Sequence, residues 1–310
     1  MIATSPQFAA VTGVGVMGGA IAARFLKEGH RIVTFDPDAA KIAALVEKGA
    51  LAATSPREAA RADYVILSLN SSEIVERAVF GRDGVAEAGD FRKLLIDPES
   101  TRAMAGRLKT ECGMAWIDCP LSGGAPGASA GKLTVVAGGA AADFERARKV
   151  MVSLTANYTH MGDVGAGQTT KLVNQVLCAI GFQAVAEAIA LAERGGVAAE
   201  RIPAALAGGR ADSRILQEFG AKMAPRDYSP TGRLDNMLRD LDGVLALSRV
   251  TKTSMPATAA IAEIHRAFIA AGQGGEDNAA LMRQFGVGRA AGNCFASPGD
   301  REKLLQPPLQ

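Results

Sequence analysis

The sequence predicts two domains of different class: an α/β domain with a mostly parallel sheet over residues 1–163, followed by an all-α domain over residues 164–310. Three observations predict this. The first half alternates short apolar, β-prone runs with helix-period stretches, which implies a parallel sheet covered on both faces. A glycine triplet, Gly13, Gly15 and Gly18, separates the first run from the first helix, and an acid follows at Asp36. From Gly167 to Arg194 the chain reads as one long helix rich in alanine, leucine and valine, and no convincing strand follows Met161.

In order, the expected strands are Phe8 to Thr12, Arg31 to Phe35, Tyr64 to Leu69, Lys93 to Asp97, Met114 to Asp118 and Leu133 to Ala137. The first helix repeats apolar positions at Met17, Ile21 and Phe25 and stops at Gly29. Another is expected around Ala142 to Val150. The long helix closes at Gly195 and Gly196, and its apolar residues surround most of the circumference, the pattern of a buried helix. Further helices fit Ala199 to Ala207, Leu234 to Val250, Ala257 to Ala271 and Asn278 to Phe285. The proline- and charge-bearing stretch from Ser297 reads as an irregular tail.

Nearly half of the 310 residues are apolar, enough for sizeable cores, and the formal net charge is only +2 with the signs interspersed. Without a dense basic run, nucleic acid and membrane surfaces are disfavoured as partners. No N-terminal stretch has the pattern of a signal peptide, and the apolar segments read as falling short of a membrane span. Cys112, Cys119, Cys178 and Cys294 show no C-x-x-C spacing, and His30, His160 and His265 have no ligand-spaced companions. The expectation is a cytoplasmic protein with neither a disulfide framework nor a metal.

A bare G-x-G-x-x-G recurs by chance, whereas strand, glycines, helix, strand and acid together make a dinucleotide-binding context. Gly13 permits a tight turn, and Gly15 lets the backbone around Val16 and Met17 approach a pyrophosphate. Gly18 lets the helix pack closely on the sheet. The helix then points unpaired amides and its positive dipole end at the phosphates. Asp36 would accept hydrogen bonds from both hydroxyls of an adenosine ribose and repel a 2′-phosphate, so NAD is expected over NADP.

Three further segments carry chemistry. Asp118-Cys119-Pro120-Leu121-Ser122-Gly123-Gly124 follows a predicted strand, where open α/β sheets place their ligands. Ser122, Gly123 and Gly124 either offer a hydroxyl and bare amides to a small carboxylate or only make a turn. Beyond Gly165 and Gly167, Lys171, Asn174 and Gln175 share one helix face. Beside a nicotinamide, the Lys171 ammonium could donate a proton to a carbonyl oxygen during reduction, and the neutral amine could accept a hydroxyl proton in reverse. Alternatively it snorkels from a helix end. In Arg233 to Leu241, Arg239 either belongs to a solvated face or reaches cofactor or substrate.

With these motifs in this order, the chain resembles the β-hydroxyacid dehydrogenase family, which includes 3-hydroxyisobutyrate dehydrogenase and tartronate semialdehyde reductase. The resemblance runs from Ala9 to Phe285. It implies a Rossmann-type domain and a helical domain with the active site in the cleft between them. It also implies that Lys171 is the catalytic lysine, that Asn174 holds the substrate, and that Ser122, Gly123 and Gly124 bind the substrate carboxylate. Leu69-Asn70, with Ser100 or Thr101, would stand near the nicotinamide end, and Arg239 near the cofactor. A homodimer or homotetramer built through the helical half is implied as well.

The chain departs from the family at Arg239-Asp240, where a Lys-Asp pair is common, and at Asn70, which replaces a frequent proline. Cys119-Pro120-Leu121 stands for the commoner Ala-Pro-Val, and Asp97-Pro98-Glu99-Ser100 for a Ser/Thr-rich turn. These positions bear on the substrate more than on the reaction. Retention of Lys171 sets the chain apart from imine reductases and from noncatalytic members. The sequence therefore points to an NAD-dependent dehydrogenase that interconverts a small β-hydroxy acid, such as 3-hydroxyisobutyrate, and its semialdehyde or keto acid. A sugar acid such as threonate, or tartronate semialdehyde, is the alternative substrate. A scaffold or redox sensor that binds NAD without turnover is the alternative of another class. A 6-phosphogluconate dehydrogenase shares the plan but normally has a longer helical half and favours NADP.

Overall fold

The computed structural model describes residues 5–90, 92–97 and 102–286. The chain forms two compact units, Met1–Lys171 and Leu172–Gln310, and the division falls within one helix. The first unit begins with β1 (Phe8–Thr12), α1 (Val16–Lys27), β2 (Arg31–Phe35), α2 (Ala39–Val46), β3 (Leu51–Ala52) and α3 (Pro56–Ala59). It continues with β4 (Tyr64–Leu67), α4 (Ser72–Phe80), β5 (Leu94–Asp97), α5 (Arg102–Cys112) and β6 (Ala115–Asp118). It closes with β7 (Leu121–Ser122), α6 (Gly124–Ala130), β8 (Leu133–Gly138), α7 (Ala141–Met151) and β9 (Thr155–Gly162).

Six strands pair in parallel in the order β3-β2-β1-β4-β5-β6. Beyond them β8 runs antiparallel to β6 and β7, and β9 lies parallel to β8. Both faces of the parallel part are buried, which is why these strands read as continuous apolar runs. Successive side chains alternate between two cores. Ala9, Val11, Tyr64, Ile66, Leu94 and Ile96 pack with Ile21, Ala22 and Phe25 of α1. Ala10, Val65, Leu67 and Leu95 pack with Val75 and Val79 of α4 and Leu108 of α5. Strand order reverses between β1 and β4, so a crevice opens at their carboxyl ends, where such sheets bind ligands.

Three strands were not expected. β3 and β7 are two residues each, too short for a period to register. β9 is eight residues, but it is mostly exposed and its sequence TANYTHMG lacks apolar alternation.

The second unit takes up α8 (Ala166–Arg194) and adds α9 (Ile202–Leu206), α10 (Arg214–Met223), α11 (Leu234–Thr251) and α12 (Pro256–Ala270). The expected helices at Ala199 and Asn278 are 3-10 in part or whole, at Ala199–Arg201 and Asn278–Phe285. α10 was missed, although Ser213 caps it and Leu216, Phe219 and Met223 form its buried stripe.

Two expectations for α8 need correction. It is not buried all round: Ala179, Phe182, Ala186 and Ile189 enter the core, while Val173, Leu177 and Leu191 are more than half exposed. Apolar composition around a helix does not by itself show which of its faces the fold covers. By length and composition α8 is also apolar enough to cross a membrane, contrary to the reading that every apolar segment falls short. Of that apolar stretch 39% is buried, and α8 sends Ala179, Phe182, Ala186 and Ile189 into the core. Cys294 and the tail from Ser297 lie outside the described residues.

Candidate functional site

The glycine triplet sits where β1 hands over to α1. Gly13 has φ +87°, and a Cβ there would stand 2.4 Å from the Ser68 carbonyl oxygen; one on Gly18 would stand 1.9 Å from the carbonyl oxygen of Gly13. Both glycines are thus demanded by the protein's own packing. Gly15 is different. Its φ of −66° suits any residue, and a Cβ there would meet nothing within 4 Å. Nothing among the described residues requires glycine at this position, whereas a pyrophosphate lying against the backbone would. Val16 next to it is almost fully exposed, Met17 is half-buried, and no side chain caps α1. The first-turn amides therefore face open space, and the residues present fit a dinucleotide.

Asp36 directly follows β2, with its side chain 9% exposed. Its Oδ2 accepts from the Val14 amide at 2.9 Å and its Oδ1 from the Asp38 amide at 3.0 Å, so it ties the glycine loop to β2. Lys41 Nζ stands 3.6 Å from Oδ1. A carboxylate has about four lone-pair directions, so two amides leave capacity for a ribose diol.

A cavity of about 200 Å³ lies within the first unit beside the glycine loop. Met17 of α1, Ser68, Leu69 and Asn70 after β4, Cys119 and Leu121 after β6, and Lys171 all line it. Most of the remaining wall is apolar, including Ile66, Ile96 and Leu133. Cys119 is buried, with its sulfur 4.0 Å from the Tyr158 hydroxyl, and burial pushes that phenol well above its ordinary value.

Lys171 is half-buried and enters this cavity from the start of α8. That start is fixed by Asp118, the last residue of β6, which is wholly buried. Its Oδ1 accepts from the Gly165 amide at 2.7 Å and its Oδ2 from the Gln168 amide at 2.8 Å. Burial pushes the Asp118 carboxyl above the usual carboxylate range, and the amides of Gly165 and Gln168 offset only part of this. The sequence motif contained Asp118, but its clamp on α8 was missed. An acid closing a strand is the signal that was available.

Ser122, Gly123 and Gly124 are exposed and do not line the cavity, although Leu121 beside them does. Ser122 belongs to β7, and Gly123 (φ +121°) and Gly124 (φ +59°) turn the chain into α6. Asn174 and Arg239 fall in the second unit, both exposed. Asn174 Nδ2 donates to Gln175 Oε1 at 3.0 Å, and Gln175 Nε2 donates to Asp240 Oδ2 at 2.5 Å, joining α8 to α11. Ser100 and Thr101 lie outside the described residues. Among the described residues no group of His, Cys, Asp and Glu could hold a metal ion.

Residues 9–162 match the family described as the NAD binding domain of 6-phosphogluconate dehydrogenase. Residues 165–285 match the one described as NAD-binding of NADP-dependent 3-hydroxyisobutyrate dehydrogenase. The 2-hydroxy-3-oxopropionate reductase of Escherichia coli K12 is 32% identical, over 87% of this chain and 94% of its own. The 3-hydroxyisobutyrate dehydrogenase of Pseudomonas aeruginosa is 39% identical, over 61% of this chain and 65% of its own. Among solved structures, Mycobacterium tuberculosis 3-hydroxyisobutyrate dehydrogenase with L-serine matches with a TM-score of 0.83 at 28% identity, covering 91% of this chain and 100% of that one.

Proposed function

We propose, for a chain that belongs to the β-hydroxyacid dehydrogenase family, the reversible NAD-dependent oxidation of a small β-hydroxy acid, with Lys171 as the group that moves the proton. The observation that carries this is the shared cavity: Lys171 lines it together with Met17 from the glycine-loop helix and with Leu69 and Asn70. NAD supplies the hydride acceptor. Gly13, Gly15 and Gly18, with the first-turn amides at Val16 and Met17, hold the pyrophosphate. Asp36 takes the ribose diol, and its charge, only partly offset by Lys41, disfavours a 2′-phosphate; hence NAD rather than NADP.

The exposed Ser122 hydroxyl and the amides of Gly123 and Gly124 receive the substrate carboxylate. Asn174 orients the hydroxyl-bearing carbon, and Arg239 contributes charge to the cofactor. In oxidation the neutral Lys171 amine accepts the hydroxyl proton as hydride leaves the adjoining carbon; in reduction its ammonium returns a proton to the oxygen. The apolar wall around the amine limits water at the reacting oxygen. L-serine, bound in the M. tuberculosis relative, is itself a 3-hydroxy acid with a carboxylate, which supports this substrate class.

The exposed apolar side chains Val173, Leu177 and Leu191 on α8 support a homodimer or homotetramer. Cys112, Cys119 and Cys178, none of them in a disulfide, suit a reducing cytoplasm, and no nucleic-acid or membrane partner is invoked. A panel of three- to six-carbon hydroxy acids, each assayed with NAD and NADP, tests the proposal. Three- and four-carbon β-hydroxy acids with NAD should give the highest kcat/KM. The E. coli relative favours one competing outcome, fastest turnover in the reduction of tartronate semialdehyde. Tight NAD binding without turnover of any panel member would mean a sensor instead.

A further inference from the structure

We propose that Asp118 is a positioning residue for the reaction, whose buried carboxylate clamps the first turn of α8 and thereby holds Lys171 at the cavity. This rests on Lys171 being the proton carrier. Gly165, before α8, has no side chain to cap the helix and stands at φ +91°, and the Ala166 amide is met locally by the Asp163 carbonyl oxygen at 2.9 Å. The amides on either side of it are met from a distance by Asp118, which accepts from Gly165 at 2.7 Å and from Gln168 at 2.8 Å. Lys171 follows Gln168 by three residues, less than one turn. A shift of the Gln168 amide is therefore passed directly to the lysine stem.

The packing leaves the helix start no alternative seat. A Cβ on Gly167 would stand 2.7 Å from both the carbonyl oxygen and Oδ2 of Asp118, and one on Gly138 would stand 2.4 Å from Asp118 Oδ1. The two glycines thus shape a slot in which carboxylate and helix backbone touch. The same strand end leads through Cys119 and Leu121, which line the cavity, into Ser122. One carboxylate therefore fixes the lysine's helix to the strand that presents the substrate loop. At a helix N-terminus it also complements the dipole.

The test is Asp118→Asn, which keeps the volume but turns one acceptor into a donor facing an amide. The folded protein should bind NAD within about twofold of wild type, with kcat lower by about 10- to 100-fold and KM little changed, the size expected for a misplacement near 1 Å. The deciding measurement repeats the substitution in Lys171→Ala. A residue that acts only through the lysine adds less than about twofold to the loss already present. Recurrence of the full loss in that background, or wild-type kcat in Asp118→Asn alone, would overturn the inference while leaving the lysine's role intact. Wild-type turnover by Lys171→Ala alone would instead remove the proton-carrier reading on which it rests. Should Asp118→Asn not fold, Gly167→Ala displaces the helix from the other side of the same contact. It should give the same fall in kcat, again absent when Lys171 is alanine; an unchanged kcat there would count against the clamp.

Discussion

Asp118 in the first unit and Asp277 in the second are both fully buried carboxylates bonded to backbone amides, yet they are shifted in opposite directions. Burial pushes both up. At Asp277 the amides of Ala279, Thr231 and Gly232 and the Thr231 hydroxyl outweigh burial, and the net shift is down. Lys222 Nζ lies 3.1 Å away as well. At Asp118 burial outweighs its amides, and the net shift is up. The linkage signs follow. Asp277 contributes stability above its unfolded value of 3.8 and loses it as pH falls through the lower folded value. Asp118 contributes stability at pH below the ordinary carboxylate range and loses it as pH rises through its raised folded value. The helical unit uses its buried acid to hold connections together, whereas the sheet unit tolerates a costly one beside the candidate chemistry.

The largest expected effect breaks that contrast directly. Asp277→Asn leaves the ammonium of Lys222 facing a neutral amide and should cost about 3–5 kcal/mol of stability at pH 7. Asp118→Asn leaves one buried amide facing a donor and should cost less, about 1–3 kcal/mol. Matched thermal melts at pH 7 and pH 4 read both, and the two variants should converge as the pH falls. Equal destabilisation at pH 7 would erase the distinction.

Within the first unit, the glycines make a second contrast. Gly18→Ala drives a methyl into the Gly13 carbonyl and should cost about 1–3 kcal/mol or more, seen in both Tm and NAD affinity. Gly15→Ala enters open space, so Tm should hold while NAD binding weakens about tenfold, an overpacking cost felt only with ligand present. Calorimetric titration with NAD, beside thermal melts, separates them. The smallest effect lies in the second unit. The exposed Arg239 replaced by Ala should raise the NAD Kd by no more than about fivefold, and Arg239→Lys should restore most of it.

Where burial and local chain geometry coincide, the sequence was enough. β1 and β2 end where expected, because two-sided burial makes an unbroken apolar run and Gly13 punctuates it. β9 was hidden because an exposed edge strand needs no apolar alternation. α10 was hidden because Gly220 interrupts an otherwise readable stripe. The same division runs through the site. Gly13, Gly18 and Asp36 announce themselves by spacing within one β-α-β stretch. The Asp118 clamp spans 47 and 50 residues of chain, and no local pattern encodes such a contact.

The proton carrier itself is open to one direct measurement: single-turnover hydride transfer, followed by absorbance of the reduced nicotinamide, in Lys171→Ala against wild type at saturating NAD and β-hydroxy acid. With the amine as general base, the transfer rate should fall by about two to four orders of magnitude while the NAD dissociation constant stays the same. An unchanged transfer rate would mean that another group carries the proton.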